Sequence, residues 1–195
     1  MEHVIPAGRL GPEPVKLDVR AYLVPHESGL VLVDTGMDPT GSALDLALAQ
    51  SGASWSDVSH VVITHGHPDH TGAVDHVRQM APGATVLAGP LEAIPDAEPL
   101  ADGAVVGPLR TFATPGHTPG HLSLIDESRG VLLVGDCLGA VDGELVRAPE
   151  QFTADPVQAE QSLHRLRALR GARMLFAHGP EVSRPWDALD ALLGD

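Results

Sequence analysis

Residues 64–72 read THGHPDHTG and follow directly on the apolar run Val61-Val62-Ile63. Four side chains able to bind a metal, His65, His67, Asp69 and His70, fall within six positions at the end of what reads as a buried strand. Imidazole nitrogen and carboxylate oxygen are ligands that suit zinc, iron or manganese. In an extended loop His65 and His67 point the same way, whereas Asp69 and His70, beyond Pro68, point to a neighbouring position. One loop can therefore serve two adjacent ions, and the rest of the chain has to hold it rigidly and supply the remaining donors.

The order of patterns along the chain meets that requirement. Val19 to Val24 and Leu30 to Val33 read as a hairpin, its second strand ending in Asp34-Thr35-Gly36. Residues 41–50 read as a helix with Ser42 as a candidate N-cap, Asp57 to Ile63 as a buried strand, and residues 71–80 as a second helix stopped by Pro82-Gly83. A strand over Thr85 to Ala88 leads to a short apolar helix or turn at Leu91 to Ile94 and an acidic loop over 96–102. Arg110 to Ala113 forms a strand entering TPGHTPGH, and Leu122 to Ile125 with Val131 to Val134 form a hairpin ending in Gly135-Asp136-Cys137. Residues 138–153 read as loop. Asp155 to Leu169 reads as an amphipathic helix capped by Asp155, followed by a strand over Arg173 to Ala177 and a helix over Trp186 to Leu193. Helices alternating with strands predict a layered α/β domain, one domain over residues 1–195. Asp34, His65, His117, Asp136 and His178 each stand just after an apolar run, so strand ends can gather them on one edge of the sheets.

Charge and cysteine usage narrow the classes. With 26 acidic against 12 basic residues the formal charge is -14, which repels a phosphate backbone and argues against nucleic acid as a partner. Cys137 is the single cysteine, so neither an intrachain disulfide nor a thiolate-rich metal site can form. It reads as a small buried residue. The first twenty residues carry no apolar signal region and no run reaches the length of a membrane span, which predicts a cytoplasmic protein with no membrane partner.

LVDTG, THGHPDHTG, TPGHTPGH, VGDCL and AHG, in that order over residues 19 to 180, resemble the five motifs of the metallo-β-lactamase fold superfamily. The resemblance implies a four-layer αββα sandwich with a metal centre along one edge of its two sheets. It implies that His65, His67 and His117 hold one divalent ion, that Asp69, His70 and His178 hold a second, and that Asp136 bridges both. Zinc is the expected metal, with iron or manganese as the alternatives. Asp34 resembles the acid that accepts hydrogen bonds from ligand imidazoles or loop amides. Of the two histidines in TPGHTPGH the first is the implied ligand, and His121 the one that packs beside it. His3, His26, His60, His76 and His164 have no motif around them and read as surface or helix-face residues.

What the resemblance implies chemically is hydrolysis of an ester, thioester, lactone or related acyl bond in a small-molecule substrate, with Asp69 orienting the nucleophile or passing a proton. Departures sort the subfamilies. The metallo-β-lactamases with a zinc-bound cysteine carry it where Asp136 stands here. Glyoxalase II shares the ligand set but continues into a helical domain, whereas this sequence runs about seventeen residues past His178. Acyl-homoserine lactonases place a tyrosine at the centre, and Tyr22, the one tyrosine, is remote in sequence. The tRNA-processing nucleases need basic surface, and flavodiiron proteins an acid at the second histidine. Two other readings stand beside the hydrolase: a one-iron persulfide-dioxygenase-like oxidoreductase, and a non-catalytic metal-binding relative. For substrate walls the sequence suggests Leu138, Val141, Leu145 and Phe152, the Gly36-Met37-Asp38 turn and the 96–102 loop.

Overall fold

The computed structural model describes residues 2–5, 12–13 and 15–194. The first eighteen residues, in which Pro6, Gly8, Gly11, Pro12 and Pro14 give no strand signal, hold two strands, β1 (Glu2–Ile5) and β2 (Val15–Asp18), paired antiparallel. Then come β3 (Tyr22–His26), β4 (Gly29–Val33), α1 (Ser42–Ser51), β5 (Val58–Ile63), α2 (Pro68–Thr71), α3 (Val74–Met80), β6 (Thr85–Ala88) and β7 (Glu98–Pro99). In this half the sheet order is β3-β4-β5-β6-β7, with β3 antiparallel to β4 and the other pairs parallel. The second half contributes β8 (Val105–Val106), β9 (Leu109–Ala113), β10 (Leu122–Asp126), β11 (Val131–Leu133), a hairpin of β12 (Leu138–Val141) and β13 (Glu144–Arg147), α4 (Pro156–Leu166), β14 (Arg173–Leu175) and α5 (Pro185–Leu193). Its sheet runs β14-β11-β10-β9-β8, antiparallel except where β14 lies parallel to β11.

Side-chain alternation stacks these elements into four layers. Successive strand residues face opposite ways, so Leu32, Val61, Ile63, Val86 and Ala88 pack with Leu44 and Leu48 of α1 and Val74 and Val77 of α3. Their neighbours Val31, Val33, Val62 and Leu87 face the other sheet and meet Leu109, Leu122, Leu124 and Leu133. On the far side Ile125, Leu132 and Met174 pack against Leu163 and Leu166 of α4 and Trp186 and Leu189 of α5. The result is the expected αββα sandwich. Each of the Val, Leu, Ile and Met side chains among them contributes about 1.5–3 kcal/mol by leaving water, which fixes the strand registers and with them the strand ends.

Several local expectations change. The first helix is capped by Gly41 rather than Ser42; Gly41 sits at φ 66°, and a Cβ there would lie 2.1 Å from the His76 ring. The helix expected over 71–80 starts later, as α3 at Val74 behind Ala73 (φ -101°, ψ 15°), and Thr71 instead ends the short α2 that carries Asp69 and His70. Of the two readings for Leu91 to Ile94 the turn is the one found, and the acidic loop holds β7. The stretch read as loop from 138 is the β12-β13 hairpin, followed by a 3-10 turn over Glu150–Phe152. Among the described residues no helix is long and apolar enough to cross a membrane.

Candidate metal centre

Strand and loop ends deliver the donors to one edge. β4 ends at Val33, and Asp34 then takes φ 58°, a left-handed conformation that aspartate tolerates better than most residues. Its amide donates to the Val62 carbonyl at 2.9 Å, tying it to the end of β5. The buried carboxylate accepts the Thr64 amide at 2.8 Å, the Thr64 hydroxyl at 2.9 Å and His70 Nδ1 at 2.8 Å. With Nδ1 carrying the proton, His70 Nε2 presents a lone pair to the site. His178 is oriented in the same manner, its Nδ1 donating to the Asp18 carbonyl at the end of β2 at 2.8 Å.

The seven donors fall into two groups that share one residue. His65, His67, His117 and Asp136 form the first, and Asp69, His70, Asp136 and His178 the second; within each group the donor atoms lie within 4.8 Å of one another. In the first group His67 Nδ1 is 3.1 Å from His65 Nε2 and 2.9 Å from His117 Nε2, and Asp136 Oδ2 is 3.5 Å from His117 Nε2. A tetrahedral ion bound at about 2.0–2.1 Å spaces its nitrogen ligands about 3.3 Å apart, so this group already has nearly that geometry. In the second, Asp136 Oδ1 lies 3.1 Å from His70 Nε2, and Asp136 Oδ2 and Asp69 Oδ2 lie 3.2 and 3.3 Å from His178 Nε2.

The donor set fits metal ions on a separate observation. His70 Nε2 and Asp136 Oδ1 are buried, face each other and make no hydrogen bond. Two lone pairs held together away from water are costly unless a cation or proton lies between them.

Electrostatics differ between the groups. Burial, reinforced by His70, pushes the His65 pKa well below its usual value, and burial pulls His117 down to about 4. These imidazoles are neutral and need shed no proton to bind an ion. In the second group burial opposes charge on His70 and His178, but neighbouring carboxylates outweigh it. Asp34 and Asp136 raise His70 well above the usual value, and Asp136 with Asp69 raises His178 to about 10. For Asp69 and Asp136 burial is likewise overcome, by His178 and His70, and both carboxyls are lowered.

His121 lies beside the site. Its Nε2 accepts the Asp136 amide at 3.0 Å, so the proton resides on Nδ1 and is shared with Thr114 Oγ1 at 2.8 Å, which contacts Ser123 Oγ at 2.9 Å. Burial lowers its pKa to about 3. Gly135, at φ 57°, passes so close that a Cβ would lie 2.6 Å from the ring. Cys137 is buried with its thiol raised to about 12 by burial, its Sγ donating to the Val134 carbonyl. Of the other histidines, His26, His60 and His76 are half-buried and bonded to Ser59 or Asp45, and His164 is exposed. The His3 side chain lies outside the described residues.

Two of the walls suggested by sequence are core residues instead. Leu138 and Leu145 point into the core against α4 and α5, because the hairpin they belong to pairs and alternates. A cavity of about 210 Å³ touches His117 and Asp136 and is lined by Cys137, Ala148, Thr153, Pro156, Ala159 and Leu163, with Arg147, Glu150 and Glu160 at its charged side. Arg147 is engaged there in a two-pronged pair with Glu160, Nε to Oε2 at 2.8 Å and Nη2 to Oε1 at 2.7 Å. Neither α4 nor Arg147 carried a motif by which the sequence could have placed it at the site.

Comparison with known proteins agrees with this arrangement. The family model described as the metallo-beta-lactamase superfamily matches residues 15–110 and 95–178. A hydroxyacylglutathione hydrolase of Ectopseudomonas mendocina is 36% identical over 166 residues, covering 76% of this chain, and the chain spans 62% of that relative. An atrochrysone carboxyl ACP thioesterase of Aspergillus fumigatus is 28% identical over 88% of this chain and 40% of its own length. Among solved structures, TTHA1623 in a di-iron-bound form superimposes with a TM-score of 0.71 at 27% identity, covering 98% of this chain and 96% of that one.

Proposed function

Since the chain belongs to the metallo-beta-lactamase superfamily, we propose that it is a metal-dependent hydrolase that cleaves an ester, thioester, lactone or related acyl bond of a small metabolite at a two-ion centre, with zinc as the metal. The observation that carries this is the gathering of seven donors into two groups sharing Asp136. Relatives named as a hydroxyacylglutathione hydrolase and an ACP thioesterase support acyl-bond hydrolysis.

His65, His67 and His117 would hold one ion, Asp69, His70 and His178 the other, and Asp136 both. When bound, two divalent ions lower the pKa of a shared water from ~15.7 toward ~7 and stabilise negative charge developing on the substrate oxygen. The remaining work falls to the chain. Asp69 Oδ2, 3.3 Å from His178 Nε2, would orient the attacking water and carry a proton to the leaving atom. The cavity beside His117 and Asp136 receives the acyl arm and excludes water from it. Because Arg147 is already neutralised by Glu160, the arm it suits is short and uncharged.

Metal quantification coupled to a panel of thioesters, lactones, esters, β-lactams and phosphodiesters tests the reading. About two zinc ions per chain, turnover of acyl substrates that chelation abolishes, and no oxygen uptake are expected. One iron per chain with oxygen consumed alongside a persulfide overturns it in favour of an oxidoreductase, and inactivity of the fully loaded protein across the panel favours a binding role.

A further inference from the structure

One carboxylate that is not among the seven donors joins the two loops carrying the first group. Glu92 lies half-buried in the turns between β6 and β7, and its oxygens divide between separate parts of the chain. Oε2 accepts the Gly66 amide at 2.7 Å, between His65 and His67. Oε1 accepts the Gly120 amide at 2.9 Å and the Thr118 hydroxyl, in the loop that runs from His117 to His121.

The backbone around Glu92 is shaped to admit this contact. A Cβ on Gly66 would lie 2.9 Å from Glu92 Oε2, and one on Gly120 would lie 2.9 Å from Oε1 and from the Glu92 amide. A Cβ on Gly89 would strike the Gly120 carbonyl at 1.8 Å, and the Glu92 amide itself donates to the Gly89 carbonyl at 2.9 Å. At Gly89 and Gly120 the backbones therefore approach at distances that favour glycine, whereas at Gly66 a Cβ would meet only the end of the Glu92 side chain. The closest donor contact of the first group, His67 Nδ1 to His117 Nε2 at 2.9 Å, crosses between the two loops that Glu92 ties together.

We infer that Glu92 is a positioning residue that sets the spacing of the His65-His67 loop against the His117 loop, and thereby the metal affinity of that group alone. The inference rests on the reading that these donors hold ions. A metal site tolerates misplacement of only about 0.5 Å in its donors, and losing a partner that orients ligands costs about 10–100-fold in affinity. Among the described residues none of the hydrogen bonds of Glu92 reaches Asp69, His70 or His178; that group is held by Asp34 and by the Asp18 carbonyl.

Stepwise zinc dissociation against a graded chelator, on the full chain, decides it. Glu92→Ala should weaken one of the two zinc equivalents 10–100-fold and leave the other within about twofold, and Glu92→Gln, which keeps a carbonyl acceptor for one loop, should fall between. In a His178→Ala background Glu92→Ala should weaken the remaining equivalent, and in a His117→Ala background it should leave it unchanged. The visible spectrum of the cobalt-loaded protein should change in intensity with Glu92→Ala in the first background only. Parent-like binding by both Glu92 variants, or equal weakening of both equivalents, overturns the inference. A parent that takes up no metal at all overturns the metal-centre reading, and this inference with it. If Glu92→Ala does not fold, the same criteria apply to Glu92→Gln.

Discussion

The two donor groups are braced by carboxylates in opposite settings. Asp34 is 2% exposed, stands at a strand end in a left-handed conformation, and ties Thr64 and His70 into the sandwich. Glu92 is half-buried in a chain of turns and ties two loops to each other through backbone amides. Water can replace the Glu92 bond to exposed Gly66, although Thr118 and Gly120 are buried, and it cannot reach the bonds of Asp34. A buried brace is therefore part of the fold, whereas an accessible one adjusts geometry at little cost to stability. The same division runs through the donors: burial lowers the pKa values of His65 and His117 in the first group, while His70 and His178 are held by carboxylates that favour their protonated forms.

The strongest challenge to this contrast is removal of the metals. At a thousandfold excess over its dissociation constant each ion adds about 4 kcal/mol to stability, so chelation should lower the melting temperature in two resolvable steps; a single small step would mean that the groups do not bind independently. Asp34→Ala comes next, leaving the Thr64 amide and His70 Nδ1 buried without an acceptor, at a cost of about 3 kcal/mol in a denaturant titration; a loss no larger than that of Glu92→Ala erases the distinction. Asp69→Asn should cut turnover about 100-fold while metal content falls far less, and equal losses in both reduce Asp69 to a ligand. His121→Ala, which strands the Asp136 amide, should cost about 2 kcal/mol by thermal unfolding. Glu92→Gln should move unfolding by less than about 1 kcal/mol, and a larger shift would place Glu92 with Asp34 as part of the fold.

Much of this was legible in the sequence because local pattern and final position coincide. His65, His67, Asp69 and His70 are adjacent in the chain, and His117, Asp136 and His178 each follow an apolar run whose register the core fixes. The layers can be read from single strands: in β4, Val31 and Val33 face one way and Leu32 the other. What was hidden depends on contacts remote in sequence. Gly139, Asp142 and Gly143 have weak strand preferences, and the hairpin they belong to forms where the Ala140 amide meets the His178 carbonyl at 3.1 Å and α5 packs on β13. Reading that hairpin as loop is what placed Leu138 and Leu145 in the cavity wall. Glu92 gave no signal, since its bonds go to backbone amides 26 and 28 residues away and a backbone amide has no signature in sequence.

The hydrogen bond from His178 to the Asp18 carbonyl spans 160 residues. During synthesis His65, His67, Asp69 and His70 emerge long before His117, Asp136 and His178, and contacts this distant in sequence close late in folding. The last of the seven donors is thus oriented by a strand made 160 residues before it. A nascent chain offers only a loose cluster of four donors, and the proposed two-ion centre would exist only in the finished fold.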